Sequence, residues 1–214
     1  MTIDGGKNSQ IKIESTPVTI SPMRDIQEEK TRRAELIQAA SRLFRDKGYE
    51  RTTVRDLAQA VGMQSGSLFY HFKTKEEMLV AVMSAGIMDI TERARDSLDK
   101  QAPPLEQLRS LVRAHLSCLL GANQAALEVL LYEWHSLSPK ARQSLLPLRD
   151  EYEQFWQNAL DQAAQLNLVS KDTRLLRKFV LGGLHWTCQW YTPEGPLDVD
   201  AMADRLLQLW AHAP

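Results

Sequence analysis

The apolar residues of this chain recur at intervals of three and four, and no segment alternates convincingly with period two. That spacing lines one face of a helix, not one face of a strand, so the chain must bury its apolar surface helix against helix. The expected fold is all-α with about nine helices. In "EEKTRRAELIQAASRLFRDKG", Leu36, Ile37, Ala40, Leu43 and Phe44 keep the helical period from Glu28 until Gly48 stops it. A short helix follows in "TTVRDLAQAV", where Thr52 or Thr53 can accept hydrogen bonds from free first-turn amides, and Gly62 ends it. A second short helix spans about Ser65 to His71, and a long one runs from Lys75 to about Lys100 with Met78, Leu79, Val82, Ile87 and Ile90 facing inward. Pro103 and Pro104 then open a run of helices at about 104 to 120, 124 to 137, 139 to 166, 171 to 191 and 199 to 212, punctuated by Gly121, Pro139, Asn167 and "TPEGP". Residues 1 to 23 show neither period and read as a disordered arm. The expected division is therefore an arm (1–23), a three-helix head (24–74) and a helical body (75–214).

Charge separates head from body. Residues 28 to 75 carry ten Lys or Arg against six Asp or Glu, whereas 76 to 214 carry thirteen against eighteen, inside a chain whose formal net charge is −1. A small basic segment on a larger acidic one suits a phosphate-binding head on a body that does not touch nucleic acid. The two cysteines, Cys118 and Cys188, are too few for a disulfide framework and fit a reducing cytoplasm. No run reaches the ~18 apolar residues that span a bilayer, and the N-terminus lacks the order of a signal peptide.

Residues 54 to 71 place their small and apolar positions as a helix-turn-helix requires. Ala58 is small where two helices cross, and Gly62, four residues on, occupies a turn that needs positive φ. Leu57, Val61, Met63 and Leu68 supply the mutual core, and Leu43, Phe44 and Phe72 complete that of the head. The outer face of the second helix, with Ser65, Ser67, Tyr70 and His71, is left free for a major groove.

The flanks make this pattern specific. "AASRLFRDKGYERTTVRDLAQAVGMQSGSLFYHFKTKEEMLVAVM", residues 39 to 83, resembles the DNA-binding head of TetR-family regulators in its aromatic-Gly-Tyr entry, double Thr, Ala-to-Gly turn, Gly-small-Leu-aromatic stretch and Lys-Glu start to the next helix. Carried over position by position, the resemblance implies that Thr53 and Arg55 lie near the DNA backbone, that Ser65 and Ser67 approach base edges or phosphates, that Tyr70 and His71 contact phosphates, and that Lys75 brings a charge and a helix N-terminus to the same strand. Two positions depart from the family: Gln64 stands where many relatives have a small hydroxyl residue, so its amide can reach a base, and Phe69 lacks the hydroxyl of a frequent Tyr.

One such head offers too small a surface for a specific site, so a homodimer on a near-palindromic stretch of double-stranded operator DNA is expected. The last two long helices, with Leu176, Val180, Leu184, Met202, Leu206 and Leu209, are the expected partner surface, as in the family. The resemblance also implies an effector cavity in the body. Trp134, Trp156, Trp186 and Trp190, with the polar His115, Tyr132 and Gln189, are candidates to line it, although buried tryptophans are more often plain core. "GGLHWTCQWYTPEGPLDVDAMADRLLQLW" is similar to the C-terminal part of TetR members that sense acyl-CoA thioesters, which implies basic residues such as Arg142 or Arg149 at the mouth for nucleotide phosphates.

Other classes find less support. There is no phosphate-cradling glycine loop, no Gly-x-Ser-x-Gly elbow and no evident carboxylate pair, so an enzyme is not expected, nor a cofactor. His115 with Cys118 and His185 with Cys188 share helix faces at i, i+3, which leaves a metal- or redox-sensing regulator as the alternative if the two pairs converge. A helical interaction module that never touches DNA is the remaining alternative.

Overall fold

The computed structural model describes residues 22–121 and 124–211, with side chains from residue 27 onward. The arm expected over 1–23 lies outside the described residues except for its last two, which instead open the first helix. Among the described residues there are nine α-helices and no strand: α1 (Pro22–Lys47), α2 (Val54–Ala60), α3 (Ser65–His71), α4 (Lys75–Ser97), α5 (Pro104–Leu119), α6 (Ala125–Tyr132), α7 (Pro139–Gln165), α8 (Thr173–Trp186) and α9 (Val199–Gln208). Short 3-10 turns at Trp134–Ser136 and Thr187–Gln189 follow α6 and α8, where a continuous helix was expected from the sequence.

Local chemistry sets the helix ends. Thr53 caps α2: its hydroxyl accepts from the Asp56 amide at 3.1 Å while the Asp56 carboxylate accepts from the Thr53 amide at 2.9 Å, a reciprocal capping box. Those bonds, the Thr53 amide foremost, then the hydroxyl and then Lys47, hold the Asp56 carboxyl at about 2. Thr74, Ser138, Asp172 and Asp198 cap α4, α7, α8 and α9 in the same way. Gly62 adopts φ +66° in the turn between α2 and α3, and Asn167 turns the chain out of α7 at φ 58°.

Two hydrophobic clusters organise the chain, and α4 belongs to both. The first joins Leu36, Ala40 and Phe44 of α1 to Leu57, Ala58, Leu68 and Phe72, and continues through Met78, Leu79, Val82 and Met83 to Val129, Leu137 and Leu145. Packing thus runs across residues 74 and 75 without a break. The second surrounds Trp156, with Ile90 and Ala94 of α4, Leu108, Leu111, Val112 and Leu116 of α5, Leu160 of α7, Val180 and Leu184 of α8, and Met202 of α9. A bidentate Arg109–Asp204 pair and a single Arg113–Asp200 contact tie α5 to α9 at the surface.

A Cβ on Gly62 would meet nothing within 4 Å, so only its backbone angle forbids a side chain there. Gly62→Val is therefore expected to cost about 1–2 kcal/mol by chemical denaturation, and Gly62→Asn distinctly less, because asparagine tolerates the left-handed region.

Candidate functional site

The outer surface of the head comes from α2, α3 and the turn into α4. Leu68 and Phe72 are buried, which turns the opposite side of α3 outward. Ser67 and Tyr70 lie on that side, Tyr70 being 76% exposed, and His71 is half-buried with its ring edge-on to Tyr70 at 5.3 Å. Gln64 is exposed and makes no capping bond of its own, while Ser65 is half-buried. Arg55 is exposed on α2, beside Thr53, whose hydroxyl also donates to Asp56 at 2.8 Å.

Lys75 differs from expectation. Its ammonium donates to the carbonyls of Tyr49 at 2.9 Å and Thr52 at 3.1 Å and sits 4.1 Å from the centre of the Tyr49 ring. The charge is thus turned inward, where it binds the α1–α2 connection to the start of α4. The adjacent Glu76 and Glu77 are also engaged: Glu77 accepts from the Lys73 amide and Glu76 from the Ser138 amide, both at 2.7 Å. Lys73, exposed just after α3, is the better placed cation; its position in "HFKTKEEM" was the available signal.

A partly open cavity of about 420 Å³ lies in the body between α4, α5, α6, α7 and α8. Ile87, Leu119, Leu127, Leu130, Leu131 and Leu181 form its apolar wall. Of the residues expected there, His115, Trp134 and Arg149 line it. Trp156 lies behind the wall at 0% exposure, donating its indole N–H to Tyr152 at 2.9 Å. Tyr132, Trp186, Gln189 and Trp190 are all exposed and outside the cavity; Gln189 and Cys188 instead hydrogen-bond the Tyr132 hydroxyl. Gln189 and Trp190 lie in and just after the 3-10 turn that ends α8, Trp186 lies on the outward stripe of α8 with Leu175 and Phe179, and Tyr132 closes α6 on its exposed side. Arg142 is outside as well, donating to the His135 carbonyl at 2.9 Å.

Tyr152, Glu153, Arg177, Lys178 and His185 also line the cavity, and Ile90, His135 and Gly182 complete the lining. Charged residues within an otherwise apolar stretch, "RKFVLGGLH", were the sequence trace of this group. Three cations, Arg149, Arg177 and Lys178, face one carboxylate, Glu153, which pairs with Arg177 at 2.9 Å and lies 3.5 Å from Arg149. Arg149 also stacks over the Trp134 ring at 5.3 Å, and the Nε atoms of Arg149 and Arg177 are buried without a hydrogen-bond partner. A larger, more open groove of about 960 Å³ runs along α1 and α4, but its charged lining is dominated by Glu76, Glu77, Asp89 and Glu92. The smaller cavity is the one that combines an apolar wall with a surplus of cations.

The histidine–cysteine pairs do not assemble. His115 and His185 approach to 5.0 Å between ring centres, yet Cys118 sits beside Asp89 and Arg93, its thiol pushed up to about 12 chiefly by burial, and Cys188 bonds Tyr132. Among the described residues no group of three or more His, Cys, Asp or Glu is placed to hold a metal ion, and no helix is long and apolar enough to cross a membrane.

A glycine-turned pair of short helices presenting a polar face, carried on a helical body, defines a helix-turn-helix DNA-binding protein. Residues 36–82 match the family of bacterial regulatory proteins of the tetR type, and residues 101–213 match the tetracyclin repressor-like C-terminal domain. The HTH-type transcriptional repressor KstR2 of Mycobacterium tuberculosis is 30% identical over 182 residues, 84% of this chain and 90% of that protein. Among solved structures, AibR in complex with isovaleryl coenzyme A and operator DNA superposes with a TM-score of 0.77 at 27% identity, covering 83% of this chain and 97% of AibR. A structure titled superantigen PfiT superposes at 0.75 with 41% identity over 86% of this chain and 98% of that one. The chain belongs to the TetR family and is a transcriptional repressor of that type, a DNA-binding regulator and not an enzyme.

Burial holds His185 at about 4 and His115 well below its ordinary 6.5, so both rings are neutral in the folded protein. Between those values the unfolded chain binds protons that the folded chain refuses, so their contribution to stability is complete above pH 6.5 and is lost as pH falls toward 4. The melting temperature is expected to drop across that window, and more shallowly in His185→Phe, when followed by circular dichroism.

Proposed function

We propose that this repressor binds a near-palindromic operator as a homodimer and is released when an anionic, largely apolar effector, an acyl-CoA thioester, occupies the body cavity. The observation that carries the effector half is the apolar chamber whose three cations, Arg149, Arg177 and Lys178, outnumber its one carboxylate, Glu153. The relative AibR, whose structure holds isovaleryl coenzyme A together with operator DNA, supports a coenzyme A thioester as the ligand. In this reading the acyl part enters among Leu119, Leu127 and Leu131 while Arg149, Arg177 and Lys178 meet the anionic part. The superantigen description of PfiT names that protein alone.

Two connections link cavity to head. Helix α4 lines the cavity with Ile87 and contributes Met78 and Leu79 to the head's core, about 13 Å away along a helix at 1.5 Å per residue. Trp134 lines the cavity, and the neighbouring Glu133 accepts from the Tyr49 amide at 3.0 Å. An effector that displaces Trp134 pulls on the loop entering α2, and it favours release only by binding the DNA-incompetent state more tightly.

The dimer surface follows from what α8 leaves uncovered. Leu175 (62%), Phe179 (70%) and Trp186 (63%) are exposed on it, with Leu209 (79%) just after α9. Gly183 shares this face and Gly182, which also lines the cavity, borders it; a Cβ on either would touch nothing in the same protomer, which leaves room for a second helix to approach closely. Of the residues expected there, Val180, Leu184 and Met202 face the protomer's own core, and Leu209 is the one fully exposed.

The direct test is a mobility-shift titration with duplexes from the gene's own upstream region. Salt-sensitive, sequence-selective binding is expected, with Tyr70→Ala weakening it about tenfold, the worth of one charge-assisted hydrogen bond. Long-chain acyl-CoA is expected to release the wild type, and to release Glu133→Gln less readily. Binding indifferent to sequence and salt would refute the operator reading, and indifference to every thioester would refute the effector reading. For the dimer, Phe179→Asp is expected to elute as a folded monomer in size-exclusion chromatography with light scattering and to bind the operator far more weakly.

A further inference from the structure

The polar group deepest in the cavity wall is His115, 1% exposed on α5. Its Nδ1 lies 2.6 Å from the Tyr152 hydroxyl, and that hydroxyl also receives the indole N–H of Trp156 at 2.9 Å. An indole nitrogen can only donate, so the Tyr152 oxygen accepts from it. The one proton of the Tyr152 hydroxyl then needs an acceptor, and His115 Nδ1 is the acceptor within reach. Burial first, and the neighbouring His185 second, keep the imidazole neutral, so its own proton resides on the other nitrogen. That nitrogen, Nε2, is buried and has no hydrogen-bond partner. The chain Trp156, Tyr152, His115 therefore ends in an unused N–H donor on a ring that lines the chamber, where a buried donor left unmade is costly.

We propose that the cavity selects effectors bearing an oxygen acceptor, a carbonyl or hydroxyl, within the part they bury, and that the Nε2–H of His115 is the donor that reads it. The inference rests on the cavity being the effector site. Tyr152 and Trp156 act as positioning residues that set the tautomer. A plain hydrocarbon segment at this point would cover the donor without satisfying it. The acceptor has two sources: the thioester carbonyl itself, or an oxygen farther along the chain. Lys178, beside Arg149 and Arg177 on their shared Glu153, is placed for the anionic end of the same molecule.

The test is calorimetric titration of the full-length protein with decanoyl-CoA, with S-decyl-CoA, the thioether that lacks the carbonyl, with an oxo-decanoyl-CoA whose ketone lies near the far end of the chain, and with the free decanoic and oxo-decanoic acids. If the chain oxygen is read, the oxo-thioester binds wild type about tenfold or more tighter than decanoyl-CoA, and His115→Phe erases that advantage. If the thioester carbonyl is read, decanoyl- and oxo-decanoyl-CoA bind alike, both about tenfold tighter than the thioether, and His115→Phe erases that gap instead. Tyr152→Phe, which frees the tautomer, is expected to narrow whichever gap exists. Should no CoA compound bind while the free oxo-acid outbinds the plain acid, the acyl-CoA reading fails and the donor survives. Equal binding of all three CoA compounds to wild type, an advantage that persists in His115→Phe, or binding of no probe at all overturns the proposal. Independently of any ligand, nitrogen-15 spectra of the histidine rings are expected to show His115 protonated at Nε2, and protonation at Nδ1 overturns it.

Discussion

Helix α4 cannot hold its place through local propensity, because a helix of this length carries its stability in what it buries. From Met78 to Ala94 it is enclosed by α1, α5, α6 and α7, and it contributes to both hydrophobic clusters. Removing water from that surface is the main favourable term, at roughly 25 cal/mol per Å². The same burial makes the head and the body one mechanical unit. A displacement near Ile87 has few ways to be absorbed inside a close-packed interior, so it reaches Met78 and Leu79 and the helices resting on them.

Polar contacts then decide how that unit is trimmed at its joints. The Lys75 ammonium is held between two loop carbonyls and the Tyr49 ring, Glu133 accepts the Tyr49 amide across the head–body junction, and Glu76 at the start of α4 accepts the Ser138 amide. These contacts are few, charge-assisted and partly buried, a combination that gives a joint definite geometry and still lets it be re-made in a second arrangement. The cavity shows the opposite balance. There His115 Nε2 and Arg177 Nε are buried without a hydrogen-bond partner, and a buried donor left unmade is costly.

Much of the head was legible in the sequence because its constraints are local. The period of Leu36, Ala40 and Phe44, the Thr53 cap and the glycine at position 62 each act within a few residues, and each is found where local chemistry puts it. The exposed side of α3 followed from the burial of Leu68 and Phe72 on the other. Lys75 was misjudged because its partners, Tyr49 and Thr52, lie more than twenty residues away and are brought to it by the fold. The cavity was legible only in outline. His115, Trp134 and Arg149 line it, whereas Trp186 and Trp190 were drawn in by composition and stand outside.

Helix α8 shows where sequence runs out. Leu175, Phe179 and Trp186 form one apolar stripe and Leu176, Val180 and Leu184 another, and periodicity rates both as candidate inner faces. By itself the sequence determined the class of fold, the turn at Gly62 and the polar face of α3, because hydrogen bonding along one helix and the steric limits of one residue's backbone suffice for these. Only the tertiary structure decided which stripe of α8 turns inward, which side chains meet around the cavity and where the Lys75 charge points. Those are outcomes of packing among residues distant in the chain, and no local rule ranks one such packing above another.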